Sequence, residues 1–105
     1  MIARIWRGAT RADDADAYSA YLDRTGHAEY RAVAGHRRTL TLRRFDGGRA
    51  EFVVITLWDS LDAIRRFAGA DVERAVFYPE DDRFLVDRED RVTHFDVEYE
   101  ESADS

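Results

Sequence analysis

The feature that most constrains this chain is the run Phe52-Val53-Val54-Ile55-Thr56-Leu57-Trp58, which passes directly into Asp59-Ser60-Leu61-Asp62-Ala63-Ile64-Arg65-Arg66-Phe67. The first half is an unbroken apolar run rich in β-branched residues, the mark of a strand buried on both faces. The second half spaces its apolar residues as a helix does, with Leu61, Ile64, Phe67 and Ala68 turned toward the sheet. At the junction Asp59 and Ser60 offer short side-chain oxygens to the first free N–H groups of that helix. Trp58, at the last strand position, is expected at the sheet rim as one wall of a small-molecule pocket.

The chain has 105 residues, of which 45% are hydrophobic and 36% charged. A globule of this size buries on the order of 65% of the surface its unfolded chain exposes, enough for one core. We read residues 1–99 as a single domain and 100–105 as a polar tail. No apolar run reaches the roughly 20 residues that cross a bilayer, and the N-terminus lacks the form of a signal peptide; a cytoplasmic protein is expected. Cysteine, lysine, asparagine and glutamine are absent. That removes disulfides, thiolate metal sites and nucleophilic lysine or cysteine from consideration. The formal net charge of -6 argues against nucleic acid or an anionic membrane as the main partner.

Taken in order, residues 2–8 alternate as a first strand ended by Gly8. Asp13, Asp14 and Asp16 suit the positive end of a helix whose inner face is Tyr18, Tyr21, Leu22 and Thr25. Gly26 interrupts that helix, and a shorter piece through Tyr30 and Val33 stops at Gly35. His36 to Phe45 reads as a strand, and Asp46-Gly47-Gly48 as a hairpin turn into the Phe52 strand. After Gly69 a short helical turn is expected at Asp71, and another helix entrance at Tyr78-Pro79-Glu80-Asp81-Asp82. Val92 to Tyr99 alternates as the last strand.

This is an α+β chain of β-α-β-β-α-β order: a ferredoxin-like antiparallel sheet with extra short helices before the last strand. Its first and third strands are apolar on both sides, whereas the helices suffice for one. The second face needs another cover, and a second copy of the chain supplies it, so a homodimer is expected.

Strand order and the motif Trp58-Asp59-Ser60-Leu61-Asp62-Ala63 resemble the antibiotic biosynthesis monooxygenase family, whose members pair into a dimeric α+β barrel. The resemblance implies a small, cofactor-independent monooxygenase acting on an aromatic or polycyclic metabolite. Related oxygenases of aromatic polyketide tailoring place an Asn where this chain has Val54 and a Tyr where it has Ile64, so other elements must carry the polar chemistry here. The haem-degrading branch places its axial His at the position of Phe77 and a Trp near Phe67. Haem is therefore only an alternative ligand, held by Tyr78 or a rotated histidine. A non-enzymatic dimer that binds a metabolite is the other alternative.

Several side chains carry the site expectation. Arg4 lies between apolar residues of a central strand, so its charge must be paired or must face a cavity. Asp96 or Glu98 on the last strand is the expected partner. His94 shares the alternation of Asp96 and is the side chain here that titrates near neutral pH, hence the expected general acid or base. Tyr78, before Pro79, presents a hydroxyl to a cavity beneath the short helices. We thus expect Arg4, His94 and Tyr78 as catalytic groups, with Trp58, Trp6, Phe67 and Phe77 around the substrate. His27 and His36 are expected as solvated loop residues, and the three histidines show no metal-ligand spacing.

Overall fold

The computed structural model describes residues 1–103; Asp104 and Ser105 of the expected tail lie outside the described residues. Its elements are β1 (Ile2–Arg11), α1 (Ala15–Arg24) after a 3-10 turn, α2 (Gly26–Arg31), β2 (His36–Asp46), β3 (Arg49–Trp58), α3 (Leu61–Ala68), α4 (Asp81–Phe84), β4 (Leu85–Arg88) and β5 (Thr93–Asp96). The sheet order is β2-β3-β1-β4, and β5 also pairs with β1. Every pairing is antiparallel. No described helix is long and apolar enough to cross a membrane.

The β1/β3 register sets Arg4 opposite Thr56 and Trp6 opposite Val54. Residues directly opposite in an antiparallel pair share a face. On the helix side Ala50, Phe52, Val54, Thr56 and Trp58 are all buried, while Val53, Ile55 and Leu57 on the other side are only half-buried. The strand is apolar on both faces as its composition requires, and the helices cover one of them. Two aromatic clusters fill the covered side. Tyr18, Tyr21 and Leu22 of α1 pack on Phe52 and Phe84. Trp58, Ala63 and Ile64 pack with Tyr30 and Phe67.

Several expectations change in the fold. The first strand continues through Gly8 to Arg11. Gly8 is a strand residue because the Trp6 ring folds over it: an added Cβ would lie 2.4 Å from a Trp6 ring carbon. In α3, Leu61 is 39% exposed and Ala63 takes the inward place. The Ser60 side chain caps the helix as expected, accepting from the Ala63 N–H at 3.2 Å. At Asp71 there is a hydrogen-bonded turn, Arg74 N–H to Asp71 C=O at 3.1 Å, and no helix. The last strand is shorter than the expected Val92 to Tyr99, covering Thr93–Asp96, and an unexpected short strand, β4, precedes it on the same edge of β1. β4 pairs with Gly8 to Thr10, and β5 with Ile2 to Ile5.

Gly35 is the tightest joint. Its φ is +96°, and a Cβ there would stand 2.5 Å from the Ala63 Cβ. Its carbonyl accepts from the Asp59 N–H at 2.9 Å, which ties the start of β2 to the junction between β3 and α3. Gly35→Ala is expected to cost about 1–3 kcal/mol of stability. A lower urea midpoint at unchanged m would show it; an unchanged midpoint would contradict this reading of the joint.

Candidate functional site

A small cavity of about 30 Å³ lies on the helix side of the sheet, at the seam between the two aromatic clusters. Arg4 and Trp6 of β1 form its floor with Val54 of β3. Tyr18 and Leu22 of α1, Tyr30 of α2 and Phe67 of α3 enclose it, and Val76, Phe77, Tyr78 and Asp81 close it from the stretch after α3. Its volume suits about one water molecule.

Arg4 is only 5% exposed. Its guanidinium donates to the Arg74 carbonyl at 2.8 Å and to the Val72 carbonyl. It lies 5.7 Å from the centre of the Phe67 ring, within cation–π range. The expected pairing with Asp96 or Glu98 does not form; among the described residues no carboxylate makes an ion pair with Arg4. The β1/β5 register sets Asp96 opposite Ile2 at the rim, where it is exposed. The guanidinium turns instead toward the carbonyls of Val72 and Arg74. Burial pulls its pKa down to about 10, so it stays charged at neutral pH.

His94 stands opposite Arg4 in the register, and its Nε2 lies 3.3 Å from Arg4 Nη1. A guanidinium can only donate, so this contact requires a neutral imidazole with its lone pair on Nε2. Burial, then the Arg4 charge, hold His94 below its ordinary pKa. The ring therefore backs Arg4 and is not among the residues that line the cavity.

The hydroxyl of Tyr78 is buried without a hydrogen-bond partner. Burial raises the pKa of Tyr30 to about 12 and pushes Tyr78 and Tyr18 up as well, so these phenols are neutral. Asp81 is 3% exposed and accepts from the Tyr78 N–H at 2.6 Å. Burial raises its carboxyl pKa.

Of the side chains expected at the site, Arg4, Tyr78, Trp6, Phe67 and Phe77 come together around the cavity. Trp58 lies behind them, fully buried. Its ring stacks on Phe67 at 5.8 Å, and its indole N–H donates to Thr56 Oγ1 at 2.8 Å. Tyr18, Tyr30 and Asp81 escaped the sequence reading as site residues. Tyr18 reads as an ordinary member of a helix face, and Asp81 as one of three acids at a helix start. His27 and His36 are half-buried and structured, not loose: His27 lies in α2, and His36 packs 5.2 Å from the Trp58 ring.

A larger concavity of about 600 Å³ lies on the opposite face of the sheet. Its charges are already paired, Arg49 with Asp87 at 3.2 Å and Arg7 with Glu89 at 3.7 Å. Size alone therefore does not make it the better site; the buried hydroxyl without a partner among the described residues, that of Tyr78, is on the helix side.

The histidines give the site a pH signature. His36 and His94 both have folded pKa values below 6.5. The unfolded chain thus binds more protons as pH falls through that value, and stability present above it is lost below it. His94→Gln is expected to flatten the fall in stability between about pH 7 and pH 5. Urea midpoints measured across that range check this; parallel slopes for the two proteins would contradict it.

No protein-family model matches the chain, and a search of curated proteins finds no match. Solved structures do match over nearly its full length. One is a candidate antibiotic biosynthesis monooxygenase from Bacillus cereus, at TM-score 0.68 and 14% identity, with 97% of each chain covered. A second is the haem degrader MhuD from Mycobacterium tuberculosis, with two haems bound in its active site, at TM-score 0.64 and 18% identity, covering 97% of this chain and 100% of that one. A third is Rv0793 from Mycobacterium tuberculosis, at TM-score 0.61 and 27% identity, covering 96% and 98%.

Proposed function

For a chain with the fold of the antibiotic biosynthesis monooxygenases, we propose the function of a small monooxygenase that works without a cofactor on an aromatic or polycyclic metabolite bound in the helix-side cavity. The observation that carries this reading is a buried cation without a carboxylate partner beside an unpartnered phenol hydroxyl, in a box of aromatic rings. Burying the Tyr78 hydroxyl unsatisfied gains nothing in stability, and the Arg4 charge, though held by the Val72 and Arg74 carbonyls, has no counter-charge. Both suit an anionic oxygen on a flat ligand. In such a reaction the ionised substrate itself gives an electron to oxygen. The protein contributes a dry cavity, removal of a proton and stabilisation of the anion. Arg4 and the Tyr78 hydroxyl face that anion, Trp6, Phe67 and Phe77 hold the ring, and His94 keeps Arg4 in place. A ligand of that size requires the wall from Asp71 to Pro79, which has no helix or strand, to be displaced.

Haem fits this cavity poorly. No imidazole is among the described residues that line it, and its phenols are held neutral by burial. The outer face of the sheet supports the dimer. Leu42 is 46% and Phe95 55% exposed, and they extend the half-buried row of Val53, Ile55 and Leu57 into an apolar surface that a second copy covers.

Oxygen uptake with hydroxylated naphthalenes as probes tests the activity. Wild-type protein is expected to consume oxygen. Tyr78→Phe, which removes a hydroxyl that bonds to nothing, should keep or gain stability while losing turnover on the order of 100-fold. Thermal stabilisation by the probes without oxygen uptake would instead make the chain a metabolite-binding protein. Equal turnover in wild type and Tyr78→Phe would remove Tyr78 from the site.

A further inference from the structure

We infer that Asp81 is the group that takes the proton from substrate in the helix-side cavity, and that the substrate is therefore a phenol or enol whose acidic O–H lies beside this carboxylate. The inference rests on the reading of that cavity as the substrate site.

Asp81 is more deeply buried than its local duty explains. Its Oδ2 accepts from the Tyr78 N–H and steadies the turn before α4. A serine or asparagine oxygen would do the same without placing an ionisable group at 3% exposure. Its other oxygen accepts no hydrogen bond from a described residue. No cation makes an ion pair with it either: Arg88, on β4, is paired with Asp82 at 2.8 Å and with Asp90 at 3.9 Å.

The groups that face Asp81 suit a proton acceptor. Tyr18 comes from α1, Tyr30 from α2 and Tyr78 from the adjoining turn, with Asp82 and Arg88 on the outer side and Arg4 of β1 lining the same cavity. The tyrosines are neutral and do not compete for the proton. Burial raises the carboxyl pKa, which makes it a stronger base than a surface carboxylate. His94 is less well placed, since its Nε2 already meets Arg4 and its ring does not line the cavity.

In the step, the substrate O–H bond breaks and its electron pair stays on oxygen. The proton moves to Asp81, which becomes a neutral carboxylic acid. The new anion is met by the Arg4 guanidinium and the Tyr78 hydroxyl. No oxidant enters this step.

The test uses 4-nitrophenol, whose phenolate is yellow, bound to the full chain and titrated by absorbance. Asp81→Asn keeps an oxygen for the Tyr78 N–H but removes the base and its charge. Below the pKa of the free probe, phenolate formed on wild-type protein is expected to leave its proton on Asp81 with none released to an unbuffered solution, whereas in the variant each phenolate formed releases one proton. Asp81→Ser should act in the same direction and serves if the first variant does not fold. Equal proton release per phenolate in wild type and variant, or no phenolate formed on wild-type protein, would overturn the role of Asp81 while leaving the cavity as the binding site. Failure of 4-nitrophenol to bind wild-type protein at all would overturn both.

Discussion

The guanidinium of Arg4 is the constraint on which the helix side of this protein depends. Taking a charge out of water is costly unless strong hydrogen bonds replace its hydration. Here the replacements are the carbonyls of Val72 and Arg74, with the neutral ring of His94 alongside. One side chain on β1 thereby holds an extended stretch that has no sheet or helix of its own. Ala75 N–H to Asp90 C=O at 2.9 Å and Val92 N–H to Glu73 C=O at 2.7 Å secure the other side of that stretch. Arg4 thus helps to hold the wall of the cavity and supplies its positive charge.

Around this centre the packing is aromatic and tight. Trp6 covers Gly8, donates its indole N–H to the Glu89 carbonyl at 2.9 Å, and meets Phe77 edge-on at 6.4 Å. Trp58 is satisfied by Thr56 and screened by Phe67. It supports the cavity from behind and does not line it. Val54 and Ile64 stand where related oxygenases are expected to carry polar groups; Val54 is plain floor and Ile64 plain core. The polar side chains of the cavity lie instead on β1 and around the turn into α4: Arg4, Tyr78 and Asp81.

Local signals made much of this legible. The apolar run of β3, the Gly47-Gly48 hairpin with φ of +61° at Gly47 and the Ser60 cap each act within a few residues, so the sequence displays them directly. Gly8 looks like a strand end because nothing local shows that a tryptophan two residues earlier lies over it. β4 is only four residues long and follows a helix without a loop, too short for alternation to declare itself. Arg4 was recognisable as a charge needing compensation, yet its partners are backbone carbonyls about 70 positions away that no pattern of side chains encodes. Asp81 was hidden by its own neighbours, since Glu80, Asp81 and Asp82 look alike until the fold buries one of them.

We propose the ligand site on the helix side of the sheet, between Arg4, Tyr78 and Asp81, and not in the larger concavity on the opposite face. A crystal soaked with 4-bromophenol and measured at the bromine edge tests it most directly. The account predicts an anomalous peak among Trp6, Phe67 and Phe77, with the phenol oxygen toward Arg4 and the Asp71–Pro79 wall displaced. A peak only beside Arg7 and Arg49 on the outer face, with the helix-side cavity unchanged, would contradict it.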